Sequence, residues 1–261
     1  MKNFSLVTGA SNGIGLDLAR LLAKDGHSLI LVARSAGKLA DIKASIEKNF
    51  GVKVKIIVAD LSLPDAASKL FDEIRKENIH VDILINNAGF GDYGPFVECN
   101  WQKQENMINL NILTLTKLTR LFLPAMISVK YGRILNLASV ASFMPGPLMS
   151  VYYASKAFVL SFSYAIANEV KGTGVTVTAL CPGPTDTGFM ASSSLNGSKL
   201  FKTFKPKSSL DVALYGYQRM LKGKTLAIPG TLNKLLVTII RFSSGKLTSS
   251  VVKKIQGRIH H

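Results

Sequence analysis

Residues 4–25 read FSLVTGASNGIGLDLARLLAKD, which combines a short apolar run, a glycine-rich turn and an amphipathic helical pattern. The turn glycines, Gly9, Gly13 and Gly15, follow the spacing G-x-x-x-G-x-G. Glycine permits a tight turn and lets backbone N–H groups approach a phosphate at a helix N-terminus. The stretch therefore predicts a strand–turn–helix unit that binds a dinucleotide, and a tight turn without a ligand is the alternative.

The alternation of strand-like and helical patterns continues along the chain. Strands are predicted at Phe4–Thr8, Ser28–Ala33, Lys53–Val58, Ile83–Asn86, Arg133–Ala138, Thr176–Cys181 and, more weakly, Thr225–Ile228. Helices are predicted at Gly15–Asp25, Lys38–Phe50, Pro64–Glu77, Gln102–Val129 and Val151–Lys171. Apolar strands that alternate with helices are typical of a parallel sheet covered on both faces. We expect one α/β domain with a Rossmann-like, doubly wound parallel sheet of about seven strands in residues 1–230, and a basic amphipathic helical extension of that domain in residues 231–261.

The chain is strongly basic, and the charge is concentrated towards its C-terminal end. The 261 residues carry a net charge of +16, and the segment from Lys199 onward holds 13 basic residues and one acid, Asp211. Such a segment could meet anionic lipid, nucleic acid or an acidic substrate. No aromatic stacking platform accompanies it, so we expect no specific nucleic-acid binding.

Targeting, redox and metal features are few. The sequence has no secretory signal pattern and no run of 18 apolar residues, so we expect a cytoplasmic protein without a spanning helix. Cys99 and Cys181 are far apart and are predicted to be reduced, buried thiols. The histidines lack metal-ligand spacing, and no metal site is predicted.

The end of the second predicted strand indicates which dinucleotide binds. An NAD enzyme typically carries an acid there, about 20 residues after the glycine turn, to hold the ribose 2′-hydroxyl. This chain has Ala33 followed by Arg34, whose guanidinium suits a 2′-phosphate. These residues predict NADP(H) as the cofactor, and a solvated loop arginine is the alternative.

A tyrosine and a lysine are the main catalytic candidates. Tyr152 and Lys156 are four positions apart on a predicted helix and therefore share a face. A nearby ammonium lowers the pKa of a phenol, so Tyr152 is predicted to act as an acid and base near neutral pH. Ser139, residues 86–89 (Asn-Asn-Ala-Gly) and residues 182–187 (Pro-Gly-Pro-Thr-Asp-Thr) each follow a predicted strand. All can converge on the crevice at the carboxyl ends of the strands.

These motifs, in this order and spacing, resemble those of the short-chain dehydrogenase/reductase family over residues 4–190. The resemblance implies that Tyr152 exchanges the proton, that Lys156 lowers its pKa and binds the nicotinamide ribose, and that Ser139 binds the substrate oxygen. It implies that Asn111 holds a water in a proton relay, with Asn109 as a rival. It also implies cofactor contacts from Gly9, Ser11, Asn12, Gly13, Ile14, Gly15, Arg34, Asp60, Leu61, Asn87, Ala88, Gly89, Tyr152, Lys156, Pro182, Gly183, Thr185 and Thr187. Tyr153 is expected to be structural.

The loops expected around the crevice are apolar and indicate a hydrophobic substrate. They are Phe90–Phe96, Phe143–Met149 and Phe189–Lys207, and the last is a candidate lid. A 3-oxoacyl thioester, a sterol-like ketone or a long-chain aldehyde or ketone would suit them. The expected reaction interconverts a carbonyl and a secondary alcohol. The alternative is an NADP(H)-binding sensor or scaffold without significant turnover.

Two helical regions predict partners. Gln102–Val129 and Val151–Lys171 resemble helices that pair subunits in this family, which implies a homodimer or homotetramer. An apolar stripe beyond residue 231 comprises Leu232, Leu235, Leu236, Ile239 and Ile240. This stripe could cover the substrate pocket, form a subunit contact, lie peripherally on an anionic membrane or pack as an ordinary C-terminal helix.

Overall fold

The computed structural model describes residues 4–188 and 206–257. Its strands are β1 (Phe4–Thr8), β2 (Ser28–Ala33), β3 (Val54–Val58), β4 (Val81–Asn86), β5 (Gly132–Leu137), β6 (Val175–Leu180), β7 (Thr185–Asp186), β8 (Lys207–Ser208) and β9 (Leu226–Ala227). Its α-helices are α1 (Gly13–Lys24), α2 (Ala36–Phe50), α3 (Ala66–Lys76), α4 (Trp101–Ile108), α5 (Leu115–Ser128), α6 (Ser150–Glu169), α7 (Ser209–Leu221), α8 (Thr231–Arg241) and α9 (Gly245–Gln256). A π-helical turn, Asn109–Thr114, joins α4 to α5.

Seven of the strands form one parallel sheet in the order β3-β2-β1-β4-β5-β6-β9. The chain runs outward from β1 to β3, then returns to place β4 on the other side of β1. Ligands of such sheets bind at the carboxyl ends of the strands, beside this switch point. The prediction of a Rossmann-like, doubly wound sheet is confirmed. The weakly predicted last strand is present, although it is reduced to Leu226–Ala227.

Apolar side chains cover both faces of the sheet, which explains why its strands are apolar on both sides. On one face, α1 and α7 contribute Leu18 and Met220, which are fully buried. On the other face, α3 and α5 contribute Ile74, Leu118 and Met126. Burial of each such side chain contributes roughly 1.5–3 kcal/mol. The two layers therefore hold the strand ends firmly in place beneath the loops that follow them.

A ladder of buried polar side chains crosses the two central strands. Asn86 Nδ2 of β4 donates to Asn136 Oδ1 of β5 at 2.9 Å and to Thr119 Oγ1 of α5 at 3.2 Å. Asn136 Nδ2 donates to Ser163 Oγ of α6 at 2.9 Å. Buried polar groups need such partners to offset their lost hydration. The ladder ties α5, both strands and α6 together just behind the strand ends.

The helix predicted over Gln102–Val129 is present as Trp101–Ser128, and it contains the π turn Asn109–Thr114, a wider turn that is common at functional sites. The expectation for one cysteine needs correction. Cys99 is partly exposed rather than buried, whereas Cys181 is buried; both thiols are free. Cys99 lies in the loop before α4, where its Sγ reaches the Pro95 carbonyl at 3.4 Å rather than the apolar core.

By length and apolar composition alone, Trp101–Ser128 is the one helix in residues 4–188 and 206–257 that could cross a membrane. In this structure it packs along the sheet, with Leu118 and Met126 in the core. Length and composition do not distinguish a core helix of this kind from a spanning one.

The C-terminal extension is helical, as predicted, and consists of α8 and α9. Val237 of α8 is buried against a small core that includes Cys181 and Ile228. Val252 of α9 is buried against Met149. The extension is therefore packed onto the body of the domain on the side of β6 and β9, which places it beside the carboxyl ends of the strands.

Candidate active site

The glycine turn between β1 and α1 allows three segments to approach each other closely. Gly9 and Gly13 have φ values of +66° and +52°, which residues other than glycine rarely adopt. A Cβ at Gly9 would lie 2.8 Å from Asn87 Nδ2, and a Cβ at Gly13 would lie 2.8 Å from Thr187 Cγ2. A Cβ at Gly15 would overlap Asn87. The turn is thus packed against the ends of β4 and β7.

The N-terminus of α1 is suited to an anion. Its N-cap residue, Asn12, makes no side-chain capping hydrogen bond within the described part of the chain. Gly13 and Ile14, the first residues of the helix, line a cavity. The first backbone N–H groups of a helix lack partners within it, and its dipole favours negative charge there. This arrangement fits the pyrophosphate of a dinucleotide.

Arg34, just beyond β2, lies at the far end of the same cavity, and Asp60, just beyond β3, lies behind it. The Arg34 side chain is 77% exposed, and its Nη1 lies 4.0 Å from Asp60 Oδ2. Burial acts to raise the pKa of Asp60, but hydrogen bonds from the N–H and hydroxyl of Ser62 hold it below its usual value. An exposed ion pair at this separation contributes little. The guanidinium therefore remains available to a phosphate group.

Residues 87–89 line the middle of the cavity. The N–H groups of Asn87 and Ala88 both donate to Thr8 Oγ1 at 3.0 Å, which fixes the loop to the end of β1. A Cβ at Gly89 would lie 2.9 Å from Asn111 Oδ1 and 3.4 Å from Lys156 Nζ. The lack of a side chain at Gly89 is what allows the amide and the ammonium to come together there.

The structure brings the predicted tyrosine, lysine and serine to one place. Lys156 Nζ donates to the Leu137 carbonyl at 2.7 Å and lies 5.8 Å from the centroid of the Tyr152 ring. Tyr152 is hydrogen-bonded to the side chain of Ser139. Ser139 Oγ also accepts from the N–H of Ala141 at 3.1 Å, so the start of a 3-10 turn holds the hydroxyl in place.

Asn111 lies next to this group, within the π turn. Its Nδ2 donates to the Phe90 carbonyl and to Ser155 Oγ, both at 3.0 Å, and its Oδ1 accepts from the N–H of Phe90 at 3.2 Å. The side chain therefore joins the loop after β4 to helix α6. Its proximity to Gly89 and Lys156 favours Asn111 over Asn109 as the candidate relay residue.

Burial sets the protonation of Tyr152 and Lys156. Burial raises the pKa of Tyr152 well above its ordinary value of 10, and the hydrogen bond with Ser139 opposes only part of that rise. Burial also lowers the pKa of Lys156 from 10.5 to about 8. The pKa of Tyr152 is therefore shifted in the direction opposite to the one predicted, because the loss of solvent outweighs the hydrogen bond with Ser139. Near neutral pH, Tyr152 is a neutral phenol beside an ammonium.

The segment after β6 closes one side of the cavity. Ser139 Oγ donates to the Pro182 carbonyl at 3.4 Å, and Thr185 Oγ1 donates to the Gly183 carbonyl at 2.9 Å. The short pairing of β7 with β8 continues this segment. The predicted lid, Phe189–Lys207, falls almost wholly on residues 189–205, which lie outside the described residues.

A cavity of about 640 Å³ joins most of these features, although Asn111 does not line it. Its lining includes most of the predicted cofactor residues, namely Gly9, Ser11, Asn12, Gly13, Ile14, Arg34, Leu61, Asn87, Ala88, Gly89, Tyr152, Lys156, Pro182, Gly183, Thr185 and Thr187, together with Ser139. Gly15 and Asp60 do not line it: Gly15 is buried beneath the turn against Asn87, and Asp60 lies behind Arg34. The cavity is large enough for an extended ligand.

The opposite end of the cavity is walled by the C-terminal helices. The lining residues there are Asn233, Leu236, Ile239, Ile240, Ser243, Leu247, Thr248, Val251, Val252, Ile255 and Gln256. Covering the pocket was one of the roles considered for the α8 stripe, but the contribution of α9 was missed. The spacing of Leu247, Val251 and Ile255 was a usable signal, although the serines and lysines among them weaken the pattern.

Hydrogen bonds of Gln256, here called the Gln256 latch, hold the end of α9 against α6, the helix that carries Tyr152. Gln256 is fully buried; its Nε2 donates to Tyr153 Oη at 2.5 Å and its carbonyl accepts from Tyr93 Oη at 2.7 Å. Gln256 Oε1 has no partner among the described residues. The Tyr153 ring meets the Tyr152 ring edge to face, with 6.0 Å between centroids. The latch therefore connects the end of α9 to the neighbour of the catalytic candidate.

This arrangement suits proton transfer next to a bound dinucleotide. A phenol, a serine hydroxyl and an ammonium line one cavity together with the glycine turn and the apolar wall. Among residues 4–188 and 206–257, no group of three His, Cys, Asp or Glu side chains lies close enough together to hold a metal ion. The phenol, the hydroxyl and the ammonium can perform acid–base chemistry on an oxygen.

Comparison with known proteins shows similarity over most of the chain. The model of a family described as short chain dehydrogenase matches residues 3–197. The very-long-chain 3-oxoacyl-CoA reductase of Rattus norvegicus is 32% identical over 254 residues, which cover 92% of this chain and 78% of the rat protein. The ketoacyl reductase HetN of a Nostoc species is 32% identical over 253 residues, covering 96% and 86%. Against the very-long-chain 3-oxoacyl-CoA reductase of Anas platyrhynchos, the match spans 58% of the duck protein.

Solved structures show the same fold. A short-chain dehydrogenase from Sphingobium yanoikuyae in complex with NADPH superposes with a TM-score of 0.81 at 29% identity, covering 94% of this chain and 97% of that one. A 7β-hydroxysteroid dehydrogenase superposes with a TM-score of 0.86 at 25% identity, covering 96% of each chain. Both alignments cover a larger share of this chain than the family model does.

Proposed function

The chain belongs to the short-chain dehydrogenase family, and from that premise we propose that it is an NADP(H)-dependent reductase of 3-oxoacyl thioesters with apolar acyl chains. The observation that carries the proposal is a single cavity with Arg34 at one end, Tyr152, Ser139 and Lys156 in the middle, and an apolar helical wall at the other end. Each part matches one requirement of the reaction: cofactor, proton and substrate.

The cofactor proposal rests on the ends of β1 and β2. The N-terminus of α1 would hold the pyrophosphate, and Arg34 would bind the 2′-phosphate with charge-assisted hydrogen bonds. Ala33 stands where an NAD enzyme typically has an acid. The similar Sphingobium yanoikuyae protein was solved in complex with NADPH. These points support NADP(H) over NAD(H), with Lys156 at the nicotinamide ribose and residues 87–89 beneath the cofactor.

The proposed mechanism assigns proton transfer to Tyr152. When bound, the nicotinamide ring supplies the hydride. Ser139 donates a hydrogen bond to the substrate carbonyl oxygen, and Tyr152 Oη gives its proton to that same oxygen. The Lys156 ammonium stabilises the phenolate that remains. Asn111, adjacent to Lys156, holds a water through which the phenol recovers a proton from solvent.

Tyr152 begins the proposed reduction as a neutral phenol. A phenol whose pKa is raised by burial is fully protonated near neutral pH, which is the form needed to donate a proton to a carbonyl. Oxidation of an alcohol would need the phenolate first, and burial opposes its formation. Binding of the substrate oxygen beside Ser139 and Lys156 supplies the interactions that make the transfer favourable.

The substrate proposal rests on the apolar wall and on the relatives. Met144 and Met149, together with the apolar residues of α8 and α9, line the end of the cavity beyond Tyr152. The rat and Nostoc relatives are named as reductases of 3-oxoacyl-CoA and ketoacyl substrates. A sterol-like ketone is the second candidate, because the structure with a TM-score of 0.86 is a hydroxysteroid dehydrogenase. Both substrates are hydrophobic carbonyl compounds.

Assembly and location form part of the same proposal. We take residues 1–230 as the catalytic domain and residues 231–261 as its extension. Phe158 and Tyr164 are exposed on α6, and Leu113 is exposed between α4 and α5. Pairing of these helices between copies would bury such side chains in a homodimer or homotetramer. The proposed location is cytoplasmic.

The proposal is tested by NADPH consumption with 3-oxoacyl thioesters of increasing chain length, a sterol-like ketone and short ketones. Tyr152→Phe should lower kcat by 10²–10⁴-fold while NADPH still binds, since general acid–base catalysis has about that magnitude. Tyr164→Phe, an exposed tyrosine on the same helix, is the matched control and should leave kcat unchanged.

Retention by Tyr152→Phe of more than about a tenth of the original kcat would overturn the catalytic assignment. Faster turnover of the sterol-like ketone than of any thioester would replace the first substrate candidate by the second. NADPH binding without turnover of any carbonyl compound would favour the alternative, a sensor or scaffold.

A further inference from the structure

The outer sides of α8 and α9 expose large apolar side chains. Leu232 is 78% exposed, Leu235 58% and Phe242 89%, and none of the three lines the cavity. Together with Ile239 at the intervening turn they form one stripe along α8, at spacings of three and four residues. We call this stripe and its continuation on α9, Leu247 and Val251, the α8–α9 face. A contiguous apolar patch on a protein surface marks an interaction site.

Lysines border the α8–α9 face. Leu247, Val251 and Lys254 stand at positions i, i+4 and i+7 of α9 and so share one side of that helix, with Lys246 next to Leu247. Residues 231–257 contain five basic residues, Lys234, Arg241, Lys246, Lys253 and Lys254, and no Asp or Glu. None of the five forms a salt bridge within the described residues. An apolar stripe with unneutralised lysines beside it is complementary to an anionic bilayer surface.

The same face is continuous with the cavity. Ile239, Leu247 and Val251 are exposed on the outside and also line the cavity inside. An apolar ligand leaving the cavity at this edge would pass directly over the α8–α9 face. From this continuity and the charges, we propose that the α8–α9 face docks peripherally on anionic lipid bilayers and presents the open edge of the cavity to the lipid.

A second copy of the chain fits this face less well. A two-fold interface places the same patch on both subunits, so Lys246, Lys253 and Lys254 would approach their own counterparts. Like charges brought together at an interface disfavour association, and the extension has no acid to compensate them. An anionic membrane satisfies the apolar stripe and the lysines at once.

Co-sedimentation of the whole protein with vesicles tests the proposal without any need for turnover, so its result is independent of the proposed reaction. Vesicles of phosphatidylcholine with phosphatidylserine should bind the protein at low salt, and pure phosphatidylcholine vesicles should bind it far less. High salt should release it, because the surface field decays within a Debye length of about 8 Å at physiological ionic strength.

Two pairs of variants distinguish the contributions. Leu235→Glu should weaken binding at least about tenfold, whereas Leu63→Glu, which alters a residue of similar exposure before α3, should not. The double variant Lys253→Glu/Lys254→Glu should weaken binding at least about twentyfold, at roughly fivefold for each charge lost. Lys48→Glu/Lys76→Glu, exposed lysines on α2 and α3, makes the same change in net charge and should have little effect. All four variants should keep the original kcat on a short soluble substrate.

The proposal would be overturned if Leu235→Glu and Lys253→Glu/Lys254→Glu bound anionic vesicles as strongly as the two control variants. Binding would then reflect net charge alone. No binding at low salt would also overturn it. So would concentration-dependent self-association that Leu235→Glu abolishes, since the face would then be an interface between copies.

Discussion

The Gln256 latch allows a double-mutant test of how α9 is attached to the catalytic helix. Tyr153→Phe removes the hydroxyl that accepts from Gln256 Nε2, and Gln256→Leu removes the amide while keeping a similar volume. Each single change leaves one buried polar group without its partner, which costs about 1–3 kcal/mol. The double change replaces both partners by apolar groups and should cost little more than one single change.

The structure also predicts which single change is worse. Gln256 Oε1 is already without a partner among the described residues, so Gln256→Leu relieves one buried unsatisfied atom while it creates another at Tyr153 Oη. Tyr153→Phe offers no such compensation. We therefore expect a loss of about 1 kcal/mol for Gln256→Leu and about 2 kcal/mol for Tyr153→Phe, with a coupling of at least 1 kcal/mol between them.

Equilibrium unfolding in urea of the four proteins measures this coupling. Thr248→Val is the control on α9, because its hydroxyl bonds only locally, to the Ser244 carbonyl at 3.0 Å. The change that Thr248→Val makes in the free energy of unfolding should add to the change made by Tyr153→Phe. Single-variant effects that add within about 0.3 kcal/mol would show that no energetically significant bond joins Gln256 to Tyr153. Both single variants lose the Gln256 latch. In each of them, the KM for long-chain substrates should therefore rise more than the KM for short-chain substrates.

Three further predictions follow from the site. Arg34→Ala should weaken NADPH binding ten- to a hundredfold and leave NADH binding nearly unchanged, because a charge-assisted contact to phosphate contributes about 1.5–3 kcal/mol. Titration with both cofactors measures this, and equal weakening would mean that Arg34 is structural. Lys156→Met should abolish activity yet stabilise the fold against urea by up to about 3 kcal/mol at pH 7. The pKa of Lys156 is about 8 in the folded protein and 10.5 in the unfolded chain, so this lysine makes the parent less stable below pH 8. The gain in stability should shrink as the pH rises from 8 to 10.5, and a gain independent of pH would contradict the assignment. Gly13→Ala should cost about 1–2 kcal/mol because its φ is +52° and its Cβ would press on Thr187 Cγ2, and Thr187→Ser should recover part of that loss in thermal unfolding of the double variant.

The strands and the glycine turn were predictable because their signals are local. Strands β1 and β2 have the bounds predicted for them, since each is an apolar run bordered by a turn or polar residue. Tyr152 and Lys156 share a face of α6 because helical spacing alone requires it. Periodicity and turn chemistry therefore suffice for the sheet and for the order of the residues around the crevice.

Features that depend on three-dimensional surroundings were not predictable in the same way. The spacing of Tyr152 and Lys156 indicated a lowered phenol pKa, but the cost of removing both groups from water cannot be read from spacing and reverses the direction. The π turn has no distinctive sequence pattern. Helix α9 combines lysines and serines with few apolar residues, so the spacing of Leu247, Val251 and Ile255 is a weak signal, and its role in the cavity wall is established by the lining of the cavity.

The amide pair in the centre of the sheet has a consequence for how this enzyme can change. A shift of β5 against β4 by one residue would turn Asn136 to the other face, and a shift by two would move it about 6.6 Å; both would leave buried amides unpaired. Gly89 follows Asn86 by three residues, and Ser139 follows Asn136 by three. The alignment of the loop after β4, which contains Gly89, with the loop after β5, which contains Ser139, is thus set by the paired strands and not by the loops themselves. A change in the sequence of these loops therefore need not disturb the alignment on which the proposed hydride and proton transfer depends.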